Sequence, residues 1–195
     1  MANLDALFAY IETKSGDTLS EEERILITER FKSKNLRKKQ YFLQEGDVAK
    51  YAAFIVKGAA RMFTVDEKGR EHILKFGVEN WWLTDFDSFH NLTPSQYNIE
   101  ALEDMELLLI TYEHVQELER KVPAFLGMRG SVSKNFSIAS NRRMQAAISY
   151  TAEERYEDLV NTYPHFLQRF PQTMIASYLG ITPETLSRLR KNSNR

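Results

Sequence analysis

The sequence predicts an α+β protein in three parts: a β-rich sandwich or barrel, one long helix, and a pair of short helices near the C-terminal end. Three observations carry that prediction. Short β-rich runs closed by Gly-containing turns follow one another from Tyr41 to Gly77. A broadly 3-4 spacing of apolar residues then runs from Phe125 to Ala146, a length of roughly six turns. Last, the stretch Gln172 to Lys191 divides at Gly180 into two short helical segments.

Bulk properties set the outer limits. The 195 residues suffice for one large domain or for two with cores of their own. A content of 43% hydrophobic and 27% charged residues is that of an ordinary globular chain. The net charge of −1 argues against a protein that coats nucleic acid over its whole surface. Charge is uneven, however: from Phe166 onward Arg169, Arg188, Arg190, Lys191 and Arg195 stand against the single acid Glu184. A local cationic end suits localised DNA contact, because phosphate neutralisation needs a patch and not a high overall pI. The absence of cysteine excludes disulfides, thiolate metal sites and a cysteine-ligated iron–sulfur sensor, and fits a cytoplasmic protein. The opening MANLDALFAYIETKSG has no basic start and is interrupted by Asp5 and Glu12, so it does not read as a signal peptide. No apolar run approaches the ~20 residues of a membrane span.

Taken in order, residues 2 to 14 form an amphipathic helix with Leu4, Leu7, Phe8 and Ile11 on one face. Ser20 to Glu23 is a capping box that opens a second helix, carried by Ile25, Leu26, Ile27 and Phe31 to about residue 32. Strands follow at Tyr41 to Gln44, Tyr51 to Val56, Ala60 to Val65 and Glu71 to Phe76, with turns at Glu45-Gly46-Asp47, Lys57-Gly58 and Asp66 to Gly69. Asn98 to Thr111 supplies two more strands around Glu103-Asp104. Glu113 to Arg120 is helical, and Pro123 suits the first turn of the long helix. Its candidate dimerisation residues are Phe125, Met128, Val132, Phe136 and Ala139; packing on the β-rich part of the same chain is the alternative. Gly127 and Gly130 weaken its start. Thr151 to Glu154 is a second capping box, opening a helix with Tyr156, Leu159 and Val160 that stops before Pro164. The parts are therefore residues 1–122, 123–148 and 149–195.

The C-terminal pair is the most informative stretch. Met174, Ile175, Tyr178 and Leu179 give the first helix an apolar face, and Gly180 ends it. Thr182 stands at the N-cap of the second, with Pro183 at its first position and Glu184 in its first turn. Leu186 and Leu189 turn inward, while Thr185, Ser187, Arg188, Arg190 and Lys191 turn outward. This is the pattern of a helix-turn-helix whose second helix enters a DNA major groove; an ordinary helical hairpin is the bland alternative.

The order of these parts resembles the cyclic-AMP receptor protein (Crp/Fnr) family of bacterial regulators. The pieces that carry the resemblance are Gln44-Glu45-Gly46-Asp47, Phe54-Ile55-Val56-Lys57-Gly58, Asp66-Glu67-Lys68-Gly69-Arg70-Glu71 and IASYLGITPETLSRLRK. It implies a double-stranded β-helix (jelly-roll) domain like those that bind cyclic nucleotides, a dimerisation helix and a winged-helix-like DNA-binding domain. Homodimers on inverted-repeat double-stranded DNA follow from the same resemblance, with RNA polymerase as a further partner and a small-molecule effector. On the matching positions, Glu184 accepts from a cytosine amino group and Arg188 makes a bidentate contact with guanine. Thr185 and Ser187 lie between them, within reach of bases or phosphates. Arg190, Lys191 and the Thr182 hydroxyl fit phosphate contacts. The family often has Arg immediately before the Glu. Here that residue is Pro183, so the family's usual operator is not implied. Glu184 reads equally as a first-turn acid favoured by the helix dipole, and Arg188 as a solvated charge.

The effector is where the match thins. Family members that bind cyclic AMP hold its phosphate with a short Gly-Glu-Leu helix and an Arg-Ser pair. Here no Arg occurs between Arg70 and Arg120, and the corresponding segment carries Glu79, Asp85 and Asp87. Cyclic AMP is therefore not the expected effector. A candidate effector pocket comprises Trp81, Trp82, Thr84, Asp85, Phe86 and Ser95, with Phe89 nearby. A different ligand, a pocket filled by its own aromatics and a regulator without effector all remain open. His72, His90, His114 and His165 show no ligand-like spacing, so no metal, haem or other cofactor is expected. No G-x-S-x-G, H-E-x-x-H or P-loop is present, which argues against an enzyme. The competing reading is a small-molecule-binding module whose C-terminal helices make protein contacts.

Overall fold

The computed structural model describes residues 4–193, which places Arg195 of the cationic end outside the described residues. The described residues group into two compact units. The first takes the chain up to Thr64 and again Lys75–Lys134; the second takes Val65–Leu74 and the chain from Asn135 onward. The sequence set residues 123–148 apart as a segment; by contacts the long helix belongs partly to each unit.

In the first unit α1 (Asp5–Ser15) and α2 (Glu21–Arg30) precede the strands β1 (Lys32–Leu36), β2 (Tyr41–Leu43), β3 (Ala52–Lys57) and β4 (Ala60–Val65). There follow β5 (Glu71–Gly77), β6 (Trp82–Leu83), α3 (Phe86–Asn91), β7 (Asn98–Ala101), β8 (Met105–Ile110) and α4 (Tyr112–Lys121). The strands form two four-stranded sheets, ordered β1-β8-β3-β6 and β2-β7-β4-β5. All registered pairs are antiparallel, with Phe54 opposite Leu108 and Met62 opposite Ile99. Phe54, Ile55, Phe63 and Ile99 are all buried, and because Phe54 and Ile55 are neighbours on β3 both faces of that strand are covered.

Local chemistry sets the boundaries. Ser20 and Glu23 form the reciprocal capping box, at 3.2 and 2.8 Å, a device worth about 1 kcal/mol to a helix start. The β3–β4 turn needs Gly58: its φ is +91°, and a Cβ there would lie 2.5 Å from the Asp104 carbonyl oxygen. Arg30 clasps Glu117 through Nε and Nη2 at 2.7 and 3.1 Å, linking α2 to α4. That bond, with Lys121 beside it, holds the Glu117 carboxyl down at about 2.

Three elements of this unit escaped the sequence reading. β1 is an edge strand whose first four residues are exposed, so Lys32 and Lys34 leave no apolar alternation to detect. β6 has two residues and α3 six, too short for a period.

Two cations are drawn into this unit. Arg61 on β4 is 6% exposed and meets Glu100 on β7 at 2.7 Å through Nε, while its guanidinium covers the Phe63 ring. Replacing Arg61 by Met strands the Glu100 carboxylate, and chemical denaturation should show a loss of about 3–5 kcal/mol. A loss within the range of a surface substitution would mean that Glu100 finds water. Lys75 on β5 donates to the Trp82 carbonyl at 3.1 Å, and burial pulls its pKa from 10.5 down to about 8. The folded state thus holds the Lys75 proton less tightly than the unfolded chain. Its stability is penalised below pH 8, and the penalty is relieved as pH rises from about 8 toward 10.5. Unfolding free energy of wild type relative to Lys75→Met should rise across that window; a flat difference would refute the assignment.

Candidate nucleic-acid interface and effector region

The second unit contains the tip of the β4–β5 hairpin, the later part of α5 (Pro123–Ser149), and α6 (Ala152–Thr162), α7 (Phe166–Arg169), α8 (Gln172–Leu179) and α9 (Pro183–Ser193). Thr151 and Glu154 cap α6 reciprocally at 3.2 and 2.7 Å, as the sequence indicates. Tyr156, Leu159, Phe166, Phe170, Ile175, Ala176, Leu179, Leu186 and Leu189 form its buried interior.

The α8–α9 junction is built on Gly180, whose φ of 67° and ψ of 36° lie in the left-handed region. The Gly180 N–H donates to the Ser177 carbonyl at 3.1 Å and the Ile181 N–H to the Ala176 carbonyl at 3.0 Å. This paired closure satisfies the last carbonyls of α8 and turns the chain at once. Thr182 then caps α9 by accepting from Thr185 N–H at 3.2 Å, and the two hydroxyls lie 3.2 Å apart.

The sequence-predicted interface residues fall as follows. Thr182, Glu184, Ser187, Arg188 and Lys191 are exposed, and Thr185 and Arg190 are half-buried. The Glu184 carboxyl is held below its usual range by its own backbone N–H and the Thr182 hydroxyl, so in the free protein it acts as a first-turn acid. Gln172, Ser187, Arg190 and Lys191 surround one shallow depression of about 220 Å³. Gln172 was not singled out in the sequence. It opens α8, and no side chain caps that helix start.

The expected dimerisation residues divide between the core and the surface. Phe125 and Met128 are fully buried in the core of the first unit, and Val132 packs partly against that core. The packing alternative accounts for those positions. Phe136 and Ala139 are exposed, as is every residue from Ser133 to Arg142.

The aromatic segment also reads as core. Trp82 stacks at 5.5 Å on Phe54 and 6.3 Å on Phe31, and Trp81 packs against the same cluster. Phe86 is half-buried at the start of α3, and Phe89 is buried. Thr84 donates to the Tyr51 carbonyl at 3.1 Å. Asp85 is buried and caps α3, accepting from the N–H groups of Asp87 and Ser88 at 3.1 and 3.4 Å. The Ser95 hydroxyl donates to its other oxygen at 2.8 Å. These are the kinds of donor an anionic phosphate uses, and here the chain's own carboxylate takes them.

Comparison with known proteins agrees with this geometry. A model of the cyclic nucleotide-binding domain matches residues 33–121. The regulatory protein HlyX of Actinobacillus pleuropneumoniae is 30% identical over 185 residues, covering 88% of this chain and 76% of its own length. The fumarate and nitrate reduction regulatory protein of Yersinia pestis is 30% identical over 172 residues, covering 81% and 67%. A solved CooA mutant from Carboxydothermus hydrogenoformans shares the fold at a TM-score of 0.70 and 17% identity, covering 93% of this chain and 82% of that one. Among the described residues no helix is long and apolar enough to cross a membrane. The helix-turn-helix and the two-sheet domain therefore sit in a chain that belongs to the Crp/Fnr family, a DNA-binding transcription regulator and not an enzyme.

Proposed function

We propose that α9 is the recognition helix of a dimeric regulator that acts in the bacterial cytoplasm and reads inverted-repeat double-stranded DNA. The observation that carries this reading is the α8–α9 junction. It buries Leu186 and Leu189 while leaving Glu184, Ser187 and Arg188 in solvent on the opposite face. Arg188 is the base reader, and Ser187 and Thr185 lie beside it. Glu184 must leave its capping role to reach a base, so its contribution is smaller. Arg190, Lys191 and Gln172 seat a phosphate at the depression they share, which positions the helix without reading sequence. The Thr182 hydroxyl is already engaged in the cap and contributes there less. RNA polymerase is the further partner that control of transcription implies.

The dimer forms along the exposed length of α5. Ser137, Ser140, Met144 and Ile148 recur at alternating spacings on that helix, and Leu126, Gly130 and Ser133 continue the pattern toward its start. Leu126, Met144 and Ile148 are 53%, 60% and 79% exposed, which an isolated helix gains nothing from. This seam replaces Phe125 and Met128, and Phe136 flanks it. Cyclic AMP is not the effector, because Asp85 occupies the donors at the start of α3 and Glu100 already neutralises Arg61.

Selection of bound duplexes from a random pool, with and without cyclic AMP, tests the whole reading. An inverted repeat should emerge in both conditions; enrichment only with cyclic AMP would overturn the assignment of α3. On the selected site, Arg188→Ala should cost about 1–3 kcal/mol of discrimination at one base pair. Equal discrimination by mutant and wild type would sink Arg188 as a base reader. The pair Met144→Asp and Ile148→Asp should convert a dimer to a monomer in analytical ultracentrifugation. A sedimentation mass that does not change would remove α5 from the interface.

A further inference from the structure

We propose that the tip of the β4–β5 hairpin is a strap that fixes the pose of α8, and with it α9, through two positioning residues, Ser177 and Arg143. The proposal rests on α9 being the DNA-reading helix. β5 is the edge strand of its sheet, so one row of its main-chain groups has no strand partner. Ser177 on α8 takes two of them: its Oγ accepts from the Ile73 N–H at 3.0 Å and donates to the Glu71 carbonyl at 3.0 Å. Arg143 on α5 supplies a second anchor. Its guanidinium donates to the carbonyls of Leu74 and Ile73 on the strand and of Tyr178 at the end of α8, and it covers the Tyr178 ring at 3.9 Å. One fork thus joins the strand edge to the carbonyl end of α8, where positive charge is favoured.

The tip is itself well held. Asp66 accepts from the N–H groups of Lys68 and Arg70, both at 2.9 Å, and from the Arg70 guanidinium and the His72 ring. The backbone N–H of Arg70, with His72 and the Arg70 side chain, keeps the Asp66 carboxyl well below the usual carboxylate range. A strap that was loose at its turn would fix nothing. This one is closed by Gly69 at φ +74° and by the Gly69 N–H to Asp66 carbonyl bond at 2.8 Å.

The anchoring hydrogen bonds engage Ser177 and the Tyr178 carbonyl, both on α8, so the strap acts by restricting that helix. A helix already held in place loses less freedom when DNA binds, so an engaged strap strengthens specific binding and leaves phosphate attraction unchanged.

The test uses the full chain with Ser177→Ala, Ser177→Thr and Arg143→Lys. Affinities are measured for the selected duplex and for an unrelated duplex of equal length, with amide exchange at Ile73. Ser177→Ala should weaken specific binding roughly threefold to tenfold, leave non-specific binding unchanged and speed exchange at Ile73. Ser177→Thr keeps the hydroxyl and should restore both. Arg143→Lys keeps the charge but loses the fork, and should follow Ser177→Ala. Unchanged exchange at Ile73 would show that the strap does not form. Faster exchange with unchanged specific affinity would show that it positions nothing. Either result overturns the proposal. A wild-type chain that does not prefer the selected duplex would instead overturn the recognition-helix reading, and this proposal with it.

Discussion

The DNA-binding unit depends on how α8 ends. An α-helix leaves its last carbonyls without partners, and a chain that must turn sharply cannot satisfy them by continuing. Gly180 resolves this because it enters the left-handed region without the ~1–2 kcal/mol that an L side chain pays there. Its N–H and that of Ile181 return to α8, so the turn closes with its hydrogen bonds made. Thr182 then starts α9 at once, and the two helices bury Ala176 and Leu186 with no slack between them. The direction of α9, and therefore which of its residues face solvent, follows from this one junction.

The N-terminal unit answers a different constraint. A double-sheet domain of this type has polar groups in its interior that an effector can satisfy. Here two sets of them pair with one another. Asp85 holds the N–H groups at the start of α3 and the Ser95 hydroxyl, and Glu100 holds Arg61. A buried carboxylate with its donors in place presents like charge to an incoming phosphate. Trp82, Phe54 and Phe31 fill the adjoining apolar space with their own rings.

Much of this was legible in the sequence where local chemistry decides the outcome. Capping boxes at Ser20 and Thr151, the glycine stop at Gly180 and the strand from Ala60 to Val65 stand where residue type alone put them. What escaped was decided by partners distant in the chain. β1 is cationic and exposed, and is a strand only because β8 pairs with it from Lys32↔Leu109 to Leu36↔Met105. Phe125 and Met128 obey the spacing of a helix seam, yet spacing cannot say which body the seam meets. In α5 the first turns meet their own unit, and Met144 and Ile148 further along are exposed. Ser95 and Asp85 were grouped as pocket residues from a family position. The two form a buried hydrogen-bonded pair.

The contacts of Ser177 and Arg143 are illegible in sequence for a further reason. Both residues bind main-chain groups of residues 71 to 74, which every non-proline residue carries. No complementary side chain marks the other half of the interaction, so neither charge pairing nor apolar spacing points to it. Only the exposed edge of β5 makes those groups available, and only the topology makes β5 an edge. The same property makes the strap sensitive to geometry above all else. A shift in the strand removes both anchors together, so the device responds to the position of the hairpin, which Asp66, Gly69 and His72 hold at its tip.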